Sequence, residues 1–179
     1  TKHNCFRSSL GIQVTTTINK SALMAHPVST IFALVADIES YPEFLPGCVG
    51  AEVLETTPEG VVGRLDLAKA GVKQSFVTSN TNITNESIHL QLADGPLESL
   101  TGTWRFQALS DEACKVTLDL SFELRSSLMR LAVGKLFESV ANDMVGAMVS
   151  REHQLAKVTQ QGALRLESRW PTRFPKNNK

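Results

Sequence analysis

The chain has 179 residues, 42% of them hydrophobic and 20% charged, a composition that suits one domain of moderate size with extensions at its ends. No apolar run approaches the ~20 residues of a membrane span, and residues 1–13 lack the apolar block of a secretory signal. We therefore expect a cytoplasmic protein, or a protein of an organelle matrix if a targeting segment has been removed. The formal net charge is zero, but residues 1–13 carry +2 and residues 162–179 carry +4, which leaves −6 on the middle and disfavours general nucleic-acid binding through phosphate neutralisation.

The two ends of the chain differ from the middle. The apolar residues among residues 1–13 show no clear periodicity. Residues 161–179 contain two prolines and end in a basic, polar stretch. We predict one domain over residues 14–160, an N-terminal extension that is flexible or foreign to the native protein, and a basic C-terminal tail without fixed structure. The alternative is that the tail is a basic arm that touches an anionic surface.

The first part of the domain predicts a strand, a helix and a sharp bend. Val14–Leu23 is rich in threonine and β-branched residues, which favours a strand. Pro27 can open the helix that follows, whose apolar face ends near Asp37. Residues 40–48 then read Ser-Tyr-Pro-Glu-Phe-Leu-Pro-Gly-Cys, with large apolar side chains inside a bend. Such a segment is typical of one that caps a core or the mouth of a cavity.

Six further segments predict strands joined by short turns, and so an antiparallel sheet. The last of them alternates most cleanly, with apolar residues at even positions from Val116 to Leu124 and polar residues between, which indicates a sheet with one wet face. The predicted strands are Val49–Glu55, Val61–Ala70, Val72–Asn82, Ser87–Leu92, Leu100–Leu109 and Cys114–Leu124.

A long helix is predicted at the C-terminal side of the domain. No proline interrupts residues 128–158, and apolar residues recur with helical spacing, so roughly thirty residues would form about 45 Å of helix. We therefore predict an α+β fold of the helix-grip (START/Bet v1-like) type. In this fold a curved antiparallel sheet wraps around a long C-terminal helix, and a short helical insert follows the first strand.

Catalytic and metal-binding motifs are absent from the sequence. Cysteines and histidines are scattered, without the spacing of a disulfide framework or a metal site. Asp66 and Glu98 could form an acid–base pair, but strand carboxylates of this kind are usually solvated. Cys48 follows a glycine in the bend, where packing is the simpler explanation. Arg105 is expected on the wet face. We therefore predict no catalytic residues, no metal and no enzyme activity.

Composition of the long helix is compatible with a cavity. Met144 and Met148 lie on it together with Gly134 and Gly146. Methionine adapts to irregular apolar shapes, and glycines inside a helix indicate close packing or room for a ligand. Ordinary core packing is the alternative, and these residues do not decide between the two.

Several segments together resemble one family, that of the bacterial ribosome association toxin RatA and the mitochondrial coenzyme Q-binding proteins. The resemblance spans about residues 15–158 and neither tail. It lies in the bend at residues 40–48, in Leu-Ala-Lys-Ala-Gly-Val-Lys-Gln-Ser-Phe at 67–76, in Asp-Gly-Pro-Leu at 94–97, in Gly-Thr-Trp-Arg-Phe at 102–106 and in Phe-Glu-Ser-Val-Ala-Asn-Asp-Met-Val at 137–145. It implies a START-like, polyketide cyclase-like fold that encloses a hydrophobic cavity between sheet and helix.

The first function that the resemblance implies is that of a carrier of a hydrophobic molecule. In this hypothesis the cavity binds ubiquinone or a related isoprenoid lipid in support of respiratory electron transport, with no required cofactor and with transient contact at the inner membrane. The bend would be a gate formed by Tyr41, Pro42 and Pro46. The predicted cavity residues are Phe44, Leu45, Phe76, Trp104, Phe106, Phe122, Leu136, Val140 and Met144.

The resemblance also implies an alternative, a toxin-like module that binds the large ribosomal subunit and blocks subunit association. Lys69, Lys73 or the basic tails would then make the contact, without sequence-specific nucleic-acid binding. A polyketide cyclase-like enzyme is a third hypothesis, which the lack of an acid–base set disfavours.

Overall fold

The computed structural model describes residues 15–124 and 130–169. Seven strands, three α-helices, a 3-10 turn and a π-helical turn make up this part of the chain. In chain order the elements are β1 (Thr15–Met24), α1 (Val28–Ala36), the 3-10 turn (Ile38–Ser40), α2 (Tyr41–Phe44), β2 (Cys48–Thr57), β3 (Gly60–Lys69), β4 (Val72–Ile83), β5 (Ser87–Asp94), β6 (Leu97–Ser110), β7 (Ala113–Leu124), the π-helical turn (Arg130–Gly134) and α3 (Lys135–Arg169).

All seven strands form one antiparallel sheet in the order β1-β7-β6-β5-β4-β3-β2. Strands β2 to β7 pair with their neighbours in sequence, as the short turns predict. Strand β1 instead pairs with β7, and Ile18 lies opposite Leu120. The helices α1 and α2 therefore fill the connection between the two edge strands, β1 and β2. This arrangement confirms the predicted helix-grip fold with its helical insert after the first strand.

Strand β7 shows how the pattern of the sequence determines which face is buried. Val116, Leu118 and Phe122 are almost completely buried, whereas Lys115 is exposed. Because successive side chains on a strand point to opposite faces, the apolar residues face α3 and the polar residues face water. The predicted alternation is confirmed.

Helix α3 covers the inner face of the sheet with one apolar stripe. Leu136, Val140 and Met148 on this stripe are buried in the core. Gly134, just before the helix, allows a close approach, because a Cβ at this position would lie 2.7 Å from Cδ1 of Leu124. The helix thus closes the core that the sheet leaves open on one side.

The predicted domain limits differ from the structure at the C-terminal side. Helix α3 continues to Arg169, into the segment from residue 161 that is predicted to be a tail without fixed structure. Residues 159–169 contain no proline, since the next proline in the chain is Pro171, and most of their residue types have good helix propensity. The N-terminal extension and residues 170–179 lie outside the described part of the chain.

Candidate functional site

A cavity of about 70 Å³ lies between the inner face of the sheet and α3. Strands β3 to β7 form its floor, α3 its roof, and α1 and α2 with the 3-10 turn one of its sides. The lining residues are Val35, Ala36, Ile38, Tyr41, Val61, Gly63, Leu65, Leu67, Phe76, Thr78, Asn80, Asn82, Ile88, Leu90, Leu100, Trp104, Leu120, Phe137, Val140, Ala141 and Met144. None of these side chains carries a charge at neutral pH.

Glycine at two positions brings the covering elements close to the sheet. A Cβ at Gly63 on β3 would collide with Cδ1 of Ile38, so the missing side chain makes room for the 3-10 turn. Gly47 has a φ of +85°, and a Cβ there would lie 2.8 Å from Cγ2 of Val140 on α3. The bend after α2 can therefore turn tightly and press against the long helix at the same point.

Strand β4 contributes polar side chains to the otherwise apolar floor. Thr78, Asn80 and Asn82 alternate in phase with Phe76, so they share its inward face. Asn80 is buried, with 7% of its surface exposed. The Oδ1 atoms of both asparagines are buried and have no hydrogen-bond partner in the part of the chain that the structure describes.

These two asparagines are not among the cavity residues that the sequence predicts. The sequence predicts a strand over Val72–Asn82 with Phe76 as its one cavity residue, whereas the structure places Thr78, Asn80 and Asn82 in line with Phe76. Two signals were present: asparagine is depleted in strand interiors, and these two asparagines are spaced by two residues. Together they indicate one polar strip on one face of the strand.

The predicted cavity residues divide into two groups. Phe76, Trp104, Val140 and Met144 line the cavity. The remaining five do not line it, although Leu45, Phe106, Phe122 and Leu136 are buried in the core and Phe44 packs against it.

Aromatic contacts explain the position of two residues in the second group. The ring of Phe106 packs edge-on against Phe32 of α1, with centroids 5.3 Å apart. The ring of Phe122 packs against Phe137, which also contacts Phe76. These side chains build the core beneath and beside the cavity.

Tyr41 is the predicted gate residue that reaches the cavity. Its hydroxyl donates a 2.6 Å hydrogen bond to the backbone oxygen of Val35, which ties α2 to the end of α1. Burial raises the pKa of the phenol far above its ordinary value, and the nearby Cys48 and Asp37 add to this shift. Pro42 is exposed in the first turn of this short helix, and Pro46 is exposed two residues after its end.

An arginine on α3 holds α2 from outside. Arg151 forms an ion pair with Glu43, and its guanidinium lies over the ring of Phe44, 5.4 Å from the ring centroid. Both partners belong to α2. The helix that covers this side of the cavity is therefore attached both to α1, through Tyr41, and to α3.

A second polar contact ties α3 to the turn before α1, outside the cavity. Nε2 of His26 lies 2.5 Å from Oε1 of Glu152, a carboxylate with only 4% of its side chain exposed. The other oxygen, Oε2, lies 3.3 Å from the ring of His153 but without hydrogen-bonding geometry. This cluster faces a separate groove between α1 and α3.

The residues considered for catalysis do not converge. Asp66 on β3 accepts a 2.5 Å hydrogen bond from Ser75 and faces away from the cavity, and Glu98 lies three strands away on β6, roughly 14 Å in the plane of the sheet. Burial raises the pKa of the Cys48 and Cys114 thiols, which disfavours a reactive thiolate. Arg105 is on the outer face, paired with Asp119, as predicted.

None of the helices described here is long and apolar enough to cross a membrane.

Comparison with known proteins adds to this geometry. A family model described as polyketide cyclase/dehydrase and lipid transport matches residues 24–149. The ribosome association toxin RatA of Escherichia coli is 40% identical over 138 residues, which are 77% of this chain and 87% of that protein. The mitochondrial coenzyme Q-binding protein COQ10 of Dictyostelium discoideum is 24% identical over 136 residues, 74% of this chain and 66% of that protein.

A solved structure shares the fold. A START superfamily protein from Mycobacterium smegmatis superposes with a TM-score of 0.67 at 24% identity, covering 78% of this chain and 98% of that one.

Proposed function

The chain belongs to the polyketide cyclase/dehydrase and lipid transport family, whose members similar to it include RatA and, more distantly, a coenzyme Q-binding protein. From the likeness to RatA we propose that the chain is a ribosome-associating, toxin-like protein. The observation that carries the proposal is the 40% identity to RatA over 138 residues. Because this match covers 87% of the RatA protein, the likeness extends over the whole domain and is not limited to one motif.

We propose that the chain docks on the large ribosomal subunit and blocks subunit association. The charge distribution supports a contact through local basic elements, because the ends carry +2 and +4 while the middle carries −6. Lys69 and Lys73 flank the turn between β3 and β4, and Lys69 is half-exposed beside Ser139 and Asp143 of α3. Contacts of lysine or arginine with RNA phosphates weaken as salt rises.

Sedimentation of ribosomal subunits through sucrose gradients tests this function. We expect the chain to sediment with the large subunit and to lower the fraction of joined ribosomes. Replacing both Lys69 and Lys73 with glutamate, or removing residues 1–13 and 170–179, should weaken docking, and the effect should shrink at high salt. Lys115→Glu, on the outer face of β7, is the matched control. A chain that stays at the top of the gradient and leaves subunit joining unchanged would contradict the proposal.

A second function, non-enzymatic binding of a hydrophobic ligand, is favoured by the cavity itself. Its apolar, uncharged walls suit an apolar body, whose burial favours binding by about 25 cal/mol per Å² before ordering costs. The volume of about 70 Å³ is small beside the ~300–1,000 Å³ of typical ligand pockets, so a larger ligand must displace α2 or α3. Ubiquinone is our candidate ligand, with a role in respiration supported by the more distant likeness to COQ10.

Mass spectrometry of an organic extract tests the second function. The protein should be purified from its native host without detergent, beside an Ala141→Leu variant whose larger side chain fills the cavity. We expect isoprenoid quinone at close to one molecule per chain in the native extract and much less from the variant. Equal amounts of quinone in both extracts, or no quinone in the native protein, would refute ligand binding in this cavity. Neither result would bear on ribosome docking, which the sedimentation experiment tests separately.

A further inference from the structure

Asn80 and Asn82 give the cavity a polar end. Both side chains lie on the inward face of β4, next to Val61 of β3 and to Leu90 and Ile88 of β5 in the strand register. Their Oδ1 atoms are shielded from solvent and receive no hydrogen bond from the described residues. Two acceptors are thus directed into one end of an apolar space.

Unpaired acceptors of this kind are unfavourable in a folded protein. An amide oxygen that is buried without a donor loses its hydrogen bonds to water and forms none within the protein. Because this costs free energy, nearly all buried polar atoms in proteins are paired. A leucine side chain of similar size at either position would avoid this cost. A bound molecule, either an ordered water or the polar head of a ligand, would complete these hydrogen bonds.

The remaining walls define the chemistry of that group. The lining side chains include no arginine, lysine, aspartate or glutamate. A carboxylate or phosphate buried here would lack a partner of opposite charge, which makes its transfer from water costly. An amide offers both an acceptor and a donor, and its two ends can exchange by rotation. The cavity therefore suits a neutral head, either a hydroxyl or a carbonyl.

We propose that Asn80 and Asn82 form a subsite that hydrogen-bonds the neutral hydroxyl or carbonyl head of an amphiphile, whose apolar body lies against Phe137, Val140 and Met144. This inference rests on the ligand-binding function proposed above. It adds the class of ligand, namely uncharged isoprenoid or aromatic alcohols and ketones, and it excludes fatty acids and phospholipids.

Small isoprenoids of matched shape test the subsite. Trp104 lies in the cavity wall with 2% of its surface exposed, and its fluorescence can report binding once Trp170→Phe removes the second tryptophan. The probes are geraniol, geranic acid and the hydrocarbon that lacks the hydroxyl of geraniol. We expect geraniol to bind at least tenfold more tightly than ionised geranic acid at neutral pH. Asn80→Leu and Asn82→Leu should each weaken geraniol about tenfold and leave the hydrocarbon unaffected.

Thermal unfolding separates this function from a structural role. Because leucine removes an unpaired buried amide, both variants should unfold at the same temperature as the parent or higher. Thr81→Val, between the two asparagines but on the outer face, is the matched control and should change neither binding nor stability.

Unchanged geraniol affinity in both leucine variants, a preference for geranic acid, or a loss of stability equal to the loss of binding would overturn the subsite. If the parent protein binds no probe at all, the ligand-binding function fails together with the subsite. If all probes bind but the leucine variants behave like the parent, only the subsite fails.

Discussion

Arg151 on α3 binds Glu43 on α2 with its guanidinium and covers the ring of Phe44 with the same group. Two residues of a four-residue helix thus depend on one side chain from the helix that covers the sheet. Since α2 forms one side of the cavity, its attachment controls how readily that side can open.

Arg151→Gln should release α2 without unfolding the domain. An exposed ion pair contributes up to about 1 kcal/mol and a cation–π contact a similar amount, so we expect a loss of about 1 kcal/mol in the free energy of unfolding. Locally, the backbone amide of Leu45, which donates to the oxygen of Tyr41, should exchange its hydrogen faster. Hydrogen exchange measured by mass spectrometry or NMR reports this change. Arg105→Gln, which removes an ion pair from the outer face, should leave exchange at Leu45 unchanged, and equal exchange in the two variants would contradict the role of Arg151.

Gly63 and Gly146 should respond oppositely to the same substitution. A Cβ at Gly63 meets Ile38, so Gly63→Ala should displace the 3-10 turn and destabilise the protein by about 1–3 kcal/mol. A Cβ at Gly146 meets nothing within 4 Å, so Gly146→Ala should stabilise α3 by about 1 kcal/mol. Urea unfolding of the two variants measures both values. A neutral Gly63→Ala would mean that Ile38 can move aside at little cost.

The fold could be predicted from the sequence because the spacing of apolar residues within each segment indicates whether it forms a strand or a helix, and which face is buried. The alternation from Val116 to Leu124 identifies a strand with one buried face, and the absence of proline after residue 128 predicts a long helix. The spacing of two residues places Asn80 and Asn82 on the same face of β4 as Phe76, but their polarity alone would assign them to water. Only the structure shows that this face lines the cavity.

The same limit applies to the predicted cavity residues. Large apolar side chains such as Phe106 and Phe122 fill space themselves, and the core packs around them at high density. A void is left where side chains fail to meet, as beside Ala141 and Gly63, and the sequence does not show which positions these are.

Ala141→Leu should fill the cavity and raise stability. At about 24 cal/mol per Å³, removing a void of about 70 Å³ would stabilise the protein by up to about 1.7 kcal/mol, less any strain. Ala147→Leu is the matched control, because Ala147 is buried on the same helix but does not line the cavity, and overpacking there should destabilise. Chemical denaturation gives both values. If the two variants lose stability equally, the space beside Ala141 is not available to a side chain or a ligand.

Tyr41 should make the stability of the protein fall at alkaline pH. Its folded-state pKa is raised above the unfolded value of 10.0, mainly by burial, so the neutral phenol is favoured in the fold. This contribution is complete below pH 10.0 and is lost as pH rises, because the unfolded chain releases the proton first. Tyr41 is the single tyrosine of the chain, so the ultraviolet absorbance of phenolate reports its ionisation directly.

Tyr41→Phe isolates this effect, since the raised pKa values of Cys48 and Cys114 act in the same direction in both proteins. Below pH 10.0 the variant should be less stable by about 1–3 kcal/mol, because the backbone oxygen of Val35 loses its donor in a buried place. Above that pH the difference should shrink as the parent protein loses the contribution of its phenol. We expect phenolate absorbance to appear together with unfolding. A phenol that titrates near its ordinary pKa in the folded protein would show that Tyr41 is open to water and that this side of the cavity is not closed.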